Sequence, residues 1–298
     1  MMKQMIVPHL WFDNEALEAA EFYVNIFPNS EILNKTQLQD TPSGDAQSVT
    51  FEVNGYTFMA ISAGPYFKIN PSVSLFVNFD PSYDDNAEQN LEETWEKLKD
   101  GGTVLMPLDE YPYSKKYGFV QDRYGVCWQL ILTDPDGDDR PVIIPSLMFV
   151  NDNFGRAEEA IDFYLSVFND SKMGEAVRRG PEKNATIIFA DFKLGNQWLA
   201  AMDGPGDQDY NFNEAVSLLV NCENQEEIDY YWKKLSAVPE AEQCGWLKDK
   251  YGVSWQITSS VMEEMMEEGS PEQIKKVTET FLKMKKFNIA ELKKAYNG

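Results

Sequence analysis

The pattern of apolar and polar positions marks a first strand at Met5–Phe12, ending at the polar pair Asp13-Asn14. Over Glu15–Phe27, apolar residues recur at Ala16, Leu17, Ala20, Tyr23, Val24 and Phe27, which is helical spacing. Three strand-like runs follow at about Glu31–Gln39, Gln47–Val53 and Tyr56–Ser62. Asn54-Gly55 between the last two is a strong hairpin signal, because both residues tolerate the positive φ that a tight turn needs. The order then restarts. A strand at Val73–Phe79 precedes a helix at Ala87–Lys99 and strands near Thr103–Leu108, Gly118–Asp122 and Val126–Leu132. The pattern is strand–helix–strand–strand–strand, twice.

The same words return later in the chain. Pro8-His-Leu-Trp-Phe12 is echoed by Pro145-Ser-Leu-Met-Phe149, and Glu21-Phe-Tyr-Val-Asn-Ile-Phe27 by Asp162-Phe-Tyr-Leu-Ser-Val-Phe168. Val73-Ser-Leu-Phe-Val-Asn78 recurs as Val216-Ser-Leu-Leu-Val-Asn221, and Trp95-Glu-Lys-Leu98 as Trp232-Lys-Lys-Leu235. Asp122-Arg-Tyr-Gly-Val-Cys-Trp-Gln129 recurs as Asp249-Lys-Tyr-Gly-Val-Ser-Trp-Gln256. Matches in one order mean a tandem duplication, with four βαβββ modules in all. The expected domains are residues 1–132 and 142–259, joined by a polar linker at 133–141 and followed by a tail at 260–298. The tail has no counterpart in the first repeat. Val261–Glu268, Pro271–Lys286 and Ile289–Tyr296 are expected to be helical, with Ser270 as N-cap and Pro271 at the first helical position. It either packs back across the two domains or holds a partner.

Composition narrows the function classes. Lys and Arg total 26 against 49 Asp and Glu, a net charge of −23, which repels nucleic acid and anionic membrane surfaces. The longest nearly apolar run, Pro141–Val150, is too short to span a bilayer. The three cysteines form no CxxC pair and, with no secretory leader evident, suit a reducing cytoplasm. His9 is the only histidine, so multi-histidine metal sites and Ser-His-Asp chemistry elsewhere are excluded. No Gly-rich strand-to-helix turn marks a nucleotide site. Asp122-Arg-Tyr-Gly125 and Asp249-Lys-Tyr-Gly252 are ordinary turn chemistry between strands.

The βαβββ pairs, together with Pro8-His-Leu-Trp-Phe-Asp13, Glu21-Phe-Tyr23, Val216-Ser-Leu-Leu-Val-Asn-Cys222, the run from Cys244 to Gln256, and Met284-Lys-Lys-Phe-Asn-Ile-Ala-Glu-Leu292, resemble the vicinal oxygen chelate superfamily. That superfamily holds glyoxalase I, bleomycin-resistance proteins and extradiol dioxygenases. The resemblance is to its PhnB-like branch, often labelled 3-demethylubiquinone-9 3-methyltransferase. It implies an α+β fold of tandem glyoxalase-like domains, each with curved mixed sheets around a cleft, and an internal pseudo-dimer of the two. It also implies a metal held at inward strand positions.

The residues meet that implication only in part. Leu10 and Phe12 match Leu147 and Phe149, so they should face the helix and leave His9 and Trp11 facing a cleft. His9 is the best single metal or acid–base candidate, with plain hydrogen-bonded packing as the bland alternative. Gln129 stands where glyoxalase-type proteins place a metal-binding Glu, with Gln256 in the second repeat; an amide is a poor ligand but a good hydrogen-bond partner. Cys127 shares its face. Ser74 and Asn78 share another, repeated as Ser217 and Asn221, and the second His position falls near Ser72 and Ala215. Between Trp95 and Tyr124 lie 28 residues, against 18 between Trp232 and Tyr251. The extra segment carries Tyr111, Tyr113, Lys115, Lys116 and Tyr117, readable as an aromatic, locally basic lip or as a solvated hairpin. The expectation is metal-free, cofactor-free binding of a small organic molecule in the cleft of the first repeat. Trp11 and Tyr113 would stack on it, and His9, Asn78 and Gln129 would orient it. The alternative is a metal-dependent glyoxalase- or dioxygenase-type enzyme using His9 with carboxylates such as Glu52.

Overall fold

The computed structural model describes residues 4–41, 44–180 and 185–298. The first module comprises β1 (Ile6–Phe12), α1 (Ala16–Ile26), β2 (Glu31–Thr41), β3 (Gly44–Val53) and β4 (Tyr56–Ser62). The second comprises β5 (Val73–Phe79), α2 (Ala87–Lys99), β6 (Thr103–Tyr111), β7 (Ser114–Gln121) and β8 (Cys127–Leu132). The third comprises β9 (Ile143–Phe149), α3 (Ala157–Val167), β10 (Lys172–Arg178), β11 (Ile187–Leu194) and β12 (Gln197–Asp203). The fourth keeps β13 (Val216–Cys222), α4 (Gln225–Leu235), β14 (Trp246–Lys248) and β15 (Ser254–Ser259). It departs from the expected βαβββ plan: a single 3-10 turn at Pro239–Ala241 stands where its first post-helical strand would be. The tail forms α5 (Ser260–Glu268), α6 (Pro271–Phe281) and α7 (Ile289–Asn297).

Local chemistry sets these boundaries. Asn54 and Gly55 take φ values of 50° and 72°, the two positive angles of the β3–β4 turn. Asp122 accepts from Tyr124 N and Val126 N at 2.9 and 3.0 Å, and from the Trp128 indole at 2.8 Å. Asp249 does the same for Tyr251, Val253 and Trp255. Both aspartates are therefore turn braces, as their spacing implies. Ser270 caps α6 in a reciprocal box with Gln273. Among the described residues no helix is long and apolar enough to cross a membrane.

The sheets do not follow the repeats. One sheet runs β14-β15-β13-β1-β4-β3-β2, and the other runs β10-β11-β12-β9-β5-β8-β7-β6. β1 pairs antiparallel with β13, His9 opposite Ser217, while β5 pairs antiparallel with β9, Ser74 opposite Ser146. Modules one and four thus build one compact unit, with residues 29–68 and 212–298 among its segments. Modules two and three build the other, from residues 69–211. We call them unit 1 and unit 2. This corrects the expectation that modules one and two share a cleft. The linker supplies the reason. Thr133 N donates to Phe79 O, Asn78 N to Val142 O, and the Asn78 amide to Pro141 O at 2.8 Å. A connection this short, fastened to the end of β5, lays β9 beside β5. Arg140 adds a second anchor, pairing with buried Asp191 at 2.5 Å and lying 4.2 Å over the Trp198 ring.

Each sheet buries one face under its helices. In unit 1, Leu10 and Phe12 are buried and Tyr23 stacks on Phe51 at 6.1 Å. In unit 2, Leu147 and Phe149 are buried and Tyr164 stacks on Phe192 at 6.4 Å. The opposite faces are left for chemistry.

Candidate functional site: one open cleft and one filled cleft

Alternation along β1 puts His9 and Trp11 on the face away from the helix, and both line a cavity of about 490 Å³ lying wholly in unit 1. Met59 and Ile61 of β4 face it from one side, and Asn221, Gln256 and Thr258 from the other. The tail closes it with Met262, Met266, Phe281 and Phe287. The tail therefore packs within unit 1 and roofs its cleft.

Four rings form the floor. His9 meets Trp246 edge-on at 5.6 Å, Trp246 meets Trp11 at 6.1 Å, and Trp11 meets Phe67 at 5.2 Å. The Trp11 indole is fixed by donating to Gly64 O at 2.8 Å. His9 is 4% exposed, and its Nδ1 has no hydrogen-bond partner. Burial pushes the imidazole pKa down to about 4, so the ring is neutral near pH 7. It can accept or donate a hydrogen bond there but cannot act as a cationic acid. On β15, the Gln256 amide N–H donates to Ser217 Oγ at 2.9 Å.

The remaining sequence candidates lie in unit 2, apart from His9 and Trp11. There the equivalent face is filled. Phe76, Tyr117, Phe119, Cys127, Ile144 and Met148 form a packed cluster against Met106, Ile131 and Tyr210. Gln129 is 1% exposed and fully engaged: Tyr117 donates to its Oε1 at 2.5 Å, and its Nε2 donates to Ser74 Oγ at 2.7 Å. Asn78 holds the linker, as above. Burial raises the Cys127 thiol well above its ordinary value, which makes it a packing group. Tyr113 is 57% exposed at the tip of the β6–β7 hairpin, stacked on Tyr111 at 5.7 Å. The extra segment is thus a hairpin extension. Its Lys116 is neutralised by Glu88 at 2.6 Å and by Glu92, so the lip is not basic there.

The groups nearest His9 on the sheet are poor metal ligands. Met59 and Ser217 flank His9 on the neighbouring strands, and Gln256 supplies an amide where a carboxylate would bind. Among the described residues no three His, Cys, Asp or Glu side chains come together as a ligand set. Glu52 sits at the turn end of β3, in contact with Thr57 Oγ1 at 3.4 Å, and does not line the cavity. Sequence reasoning missed Trp246 and the aromatic roof. The signal for the roof was the run of Met and Phe along the tail helices; Trp246 carried none beyond its strand.

With this geometry in view, comparisons place the chain. Glyoxalase I from Zea mays is 14% identical, covers 89% of this chain and 96% of its own, and superposes with a TM-score of 0.57, a likeness of fold. A candidate dioxygenase from Bacillus subtilis, 10% identical, covers 99% of this chain and 97% of its own at a TM-score of 0.50. A PhnB protein from Bacillus cereus is 35% identical over 44% of this chain and 100% of its own, with a TM-score of 0.39. No curated protein matches. The profile of the 3-demethylubiquinone-9 3-methyltransferase family matches twice, over residues 4–131 and 141–258. Matched in both repeats and carrying a glyoxalase-like fold, the chain belongs to the 3-demethylubiquinone-9 3-methyltransferase family.

Proposed function

We propose that this protein binds a small, mostly apolar organic molecule in the unit 1 cavity, without a metal. The observation that carries this is the cavity itself: about 490 Å³, its wall mostly apolar surface from indoles, thioethers and phenyl rings, with Asn, Gln, Thr and Glu side chains set among them. A neutral His9 and the Gln256 amide can orient a ligand but offer no ionised acid or base. Methyl transfer, despite the family label, has no support in the chain: no Gly-rich strand-to-helix turn is present, and the sheets are mixed, with antiparallel centres. The three cysteines are unpaired, which supports a reducing, cytoplasmic setting.

A thermal-shift screen of apolar and aromatic small molecules tests the reading. A ligand present at 100 times its Kd stabilises the folded state by about 2.7 kcal/mol, a shift of several degrees. Hits should lose their effect in Trp246→Ala and keep it in Tyr113→Ala. Hits that depend on Tyr113 and ignore Trp246 would locate binding in the wrong unit. Stoichiometric nickel, zinc, iron or manganese in the purified protein would overturn the metal-free reading and favour an enzyme using His9.

A further inference from the structure

The two clefts carry the same polar pair, Ser74 with Gln129 in unit 2 and Ser217 with Gln256 in unit 1. In both, the glutamine N–H₂ donates to the serine. The two glutamines differ at the carbonyl. Gln129 Oε1 receives the Tyr117 hydroxyl at 2.5 Å. Gln256 Oε1 receives no donor among the described residues, although Gln256 lines the cavity.

Strand register explains why. Phe119 lies opposite Gln129, and Trp246 lies opposite Gln256. Two residues before Phe119 stands Tyr117, whose ring fills the cleft of unit 2. Two residues before Trp246 stands Cys244, at φ 51° in the tight turn where Gln243 bridges back to Trp246. Its thiol faces Leu282 O at 3.7 Å. The shortened hairpin of module four has therefore removed a hydroxyphenyl ring and kept the acceptor that ring served. The cavity includes both Cys244 and Gln256 in its wall.

We propose that the ligand of unit 1 is a neutral hydroxyaromatic molecule, a phenol in the broad sense, whose O–H donates to Gln256 Oε1 as Tyr117 donates to Gln129. This rests on the proposed binding function and narrows its ligand class. The surroundings suit an aromatic ring: Trp11, Trp246 and His9 already pack edge to face. The unpartnered, buried His9 Nδ1 offers a second polar point on the same wall. Anionic ligands are disfavoured, because Glu240 and Glu263 also line the cavity and the chain carries a net charge of −23.

The test is a matched pair of probes, 2-naphthol and 2-methoxynaphthalene, titrated into the full chain by equilibrium dialysis. The ether keeps the ring and loses the donor. We expect 2-naphthol to bind about tenfold more tightly, the usual worth of one well-placed hydrogen bond in a buried site. The preference should vanish in Gln256→Leu and survive in Tyr113→Ala; the wild-type comparison stands alone should Gln256→Leu fail to fold. Equal affinities, both weakened by Trp246→Ala, would overturn the hydroxyl assignment and leave cavity binding standing. Binding of neither probe would also overturn the assignment, and the library screen would then decide cavity binding by itself.

Discussion

Replacing Asp249 with alanine is expected to destabilise unit 1 by about 3–4 kcal/mol. The carboxylate is fully buried and accepts three hydrogen bonds, from Tyr251 N, Val253 N and the Trp255 indole at 2.8–3.0 Å. Alanine leaves all three donors inside the protein with nothing to receive them, and each orphaned donor costs about 1–3 kcal/mol before relaxation. Gly252, at φ 84°, shows how tightly the turn is wound around that side chain. Urea unfolding followed by tryptophan fluorescence would measure the loss. A midpoint unchanged from wild type would show that the aspartate is not the brace described. Asp122→Ala should produce the matching loss in unit 2.

The second large effect is a dependence on pH. Burial lowers the His9 pKa from 6.5 to about 4. In the unfolded chain the imidazole takes its proton as pH falls through about 6.5, whereas in the folded chain it resists until about 4. The unfolded state thus holds more protons throughout that window, and stability drops as the solution is acidified. Nothing is lost above pH 6.5, and about 3 kcal/mol has gone by pH 4, at ~1.36 kcal/mol for each pH unit. Carboxylates also titrate in this range, but His9 is the chain's single histidine, so His9→Gln isolates its share. Wild type should lose more stability than His9→Gln between pH 7 and pH 4.5. Equal losses would mean that the imidazole is solvated in the folded state.

Much of this architecture could be read from the residues. The turn aspartates, the Asn54-Gly55 hairpin, the capped tail helix and the outward face of His9 and Trp11 follow from local rules, and local rules act within a few residues. The choice of strand partner does not. β5 and β13 present nearly the same word, Val-Ser-Leu-x-Val-Asn, so their edges are almost equivalent to an approaching strand. What selects between them is the short connection at 133–141, held by Asn78 and Arg140, and no periodicity reports that. The error carried into the site. Gln129 and Gln256 are equal in sequence, and only the three-dimensional neighbours show one to be engaged by Tyr117 and the other open. Asn78 reads as ligand-orienting in the sequence because polar residues on a strand face look alike, whether they meet a ligand or, as here, a neighbouring carbonyl.

The pairing of β1 with β13 also sets a timetable. Unit 2 is complete once residue 211 has left the ribosome, whereas β1 must wait for a partner that begins at Val216. Roughly 200 residues separate the two strands, so at ordinary synthesis rates the wait is about 10–40 s. Throughout it, the edge of β1 carrying Ile6, Val7 and Leu10 stays bare, an apolar strand with open backbone groups. The nascent chain is therefore most exposed to misassociation at its own beginning, and it completes unit 1 last, after the nested unit has formed.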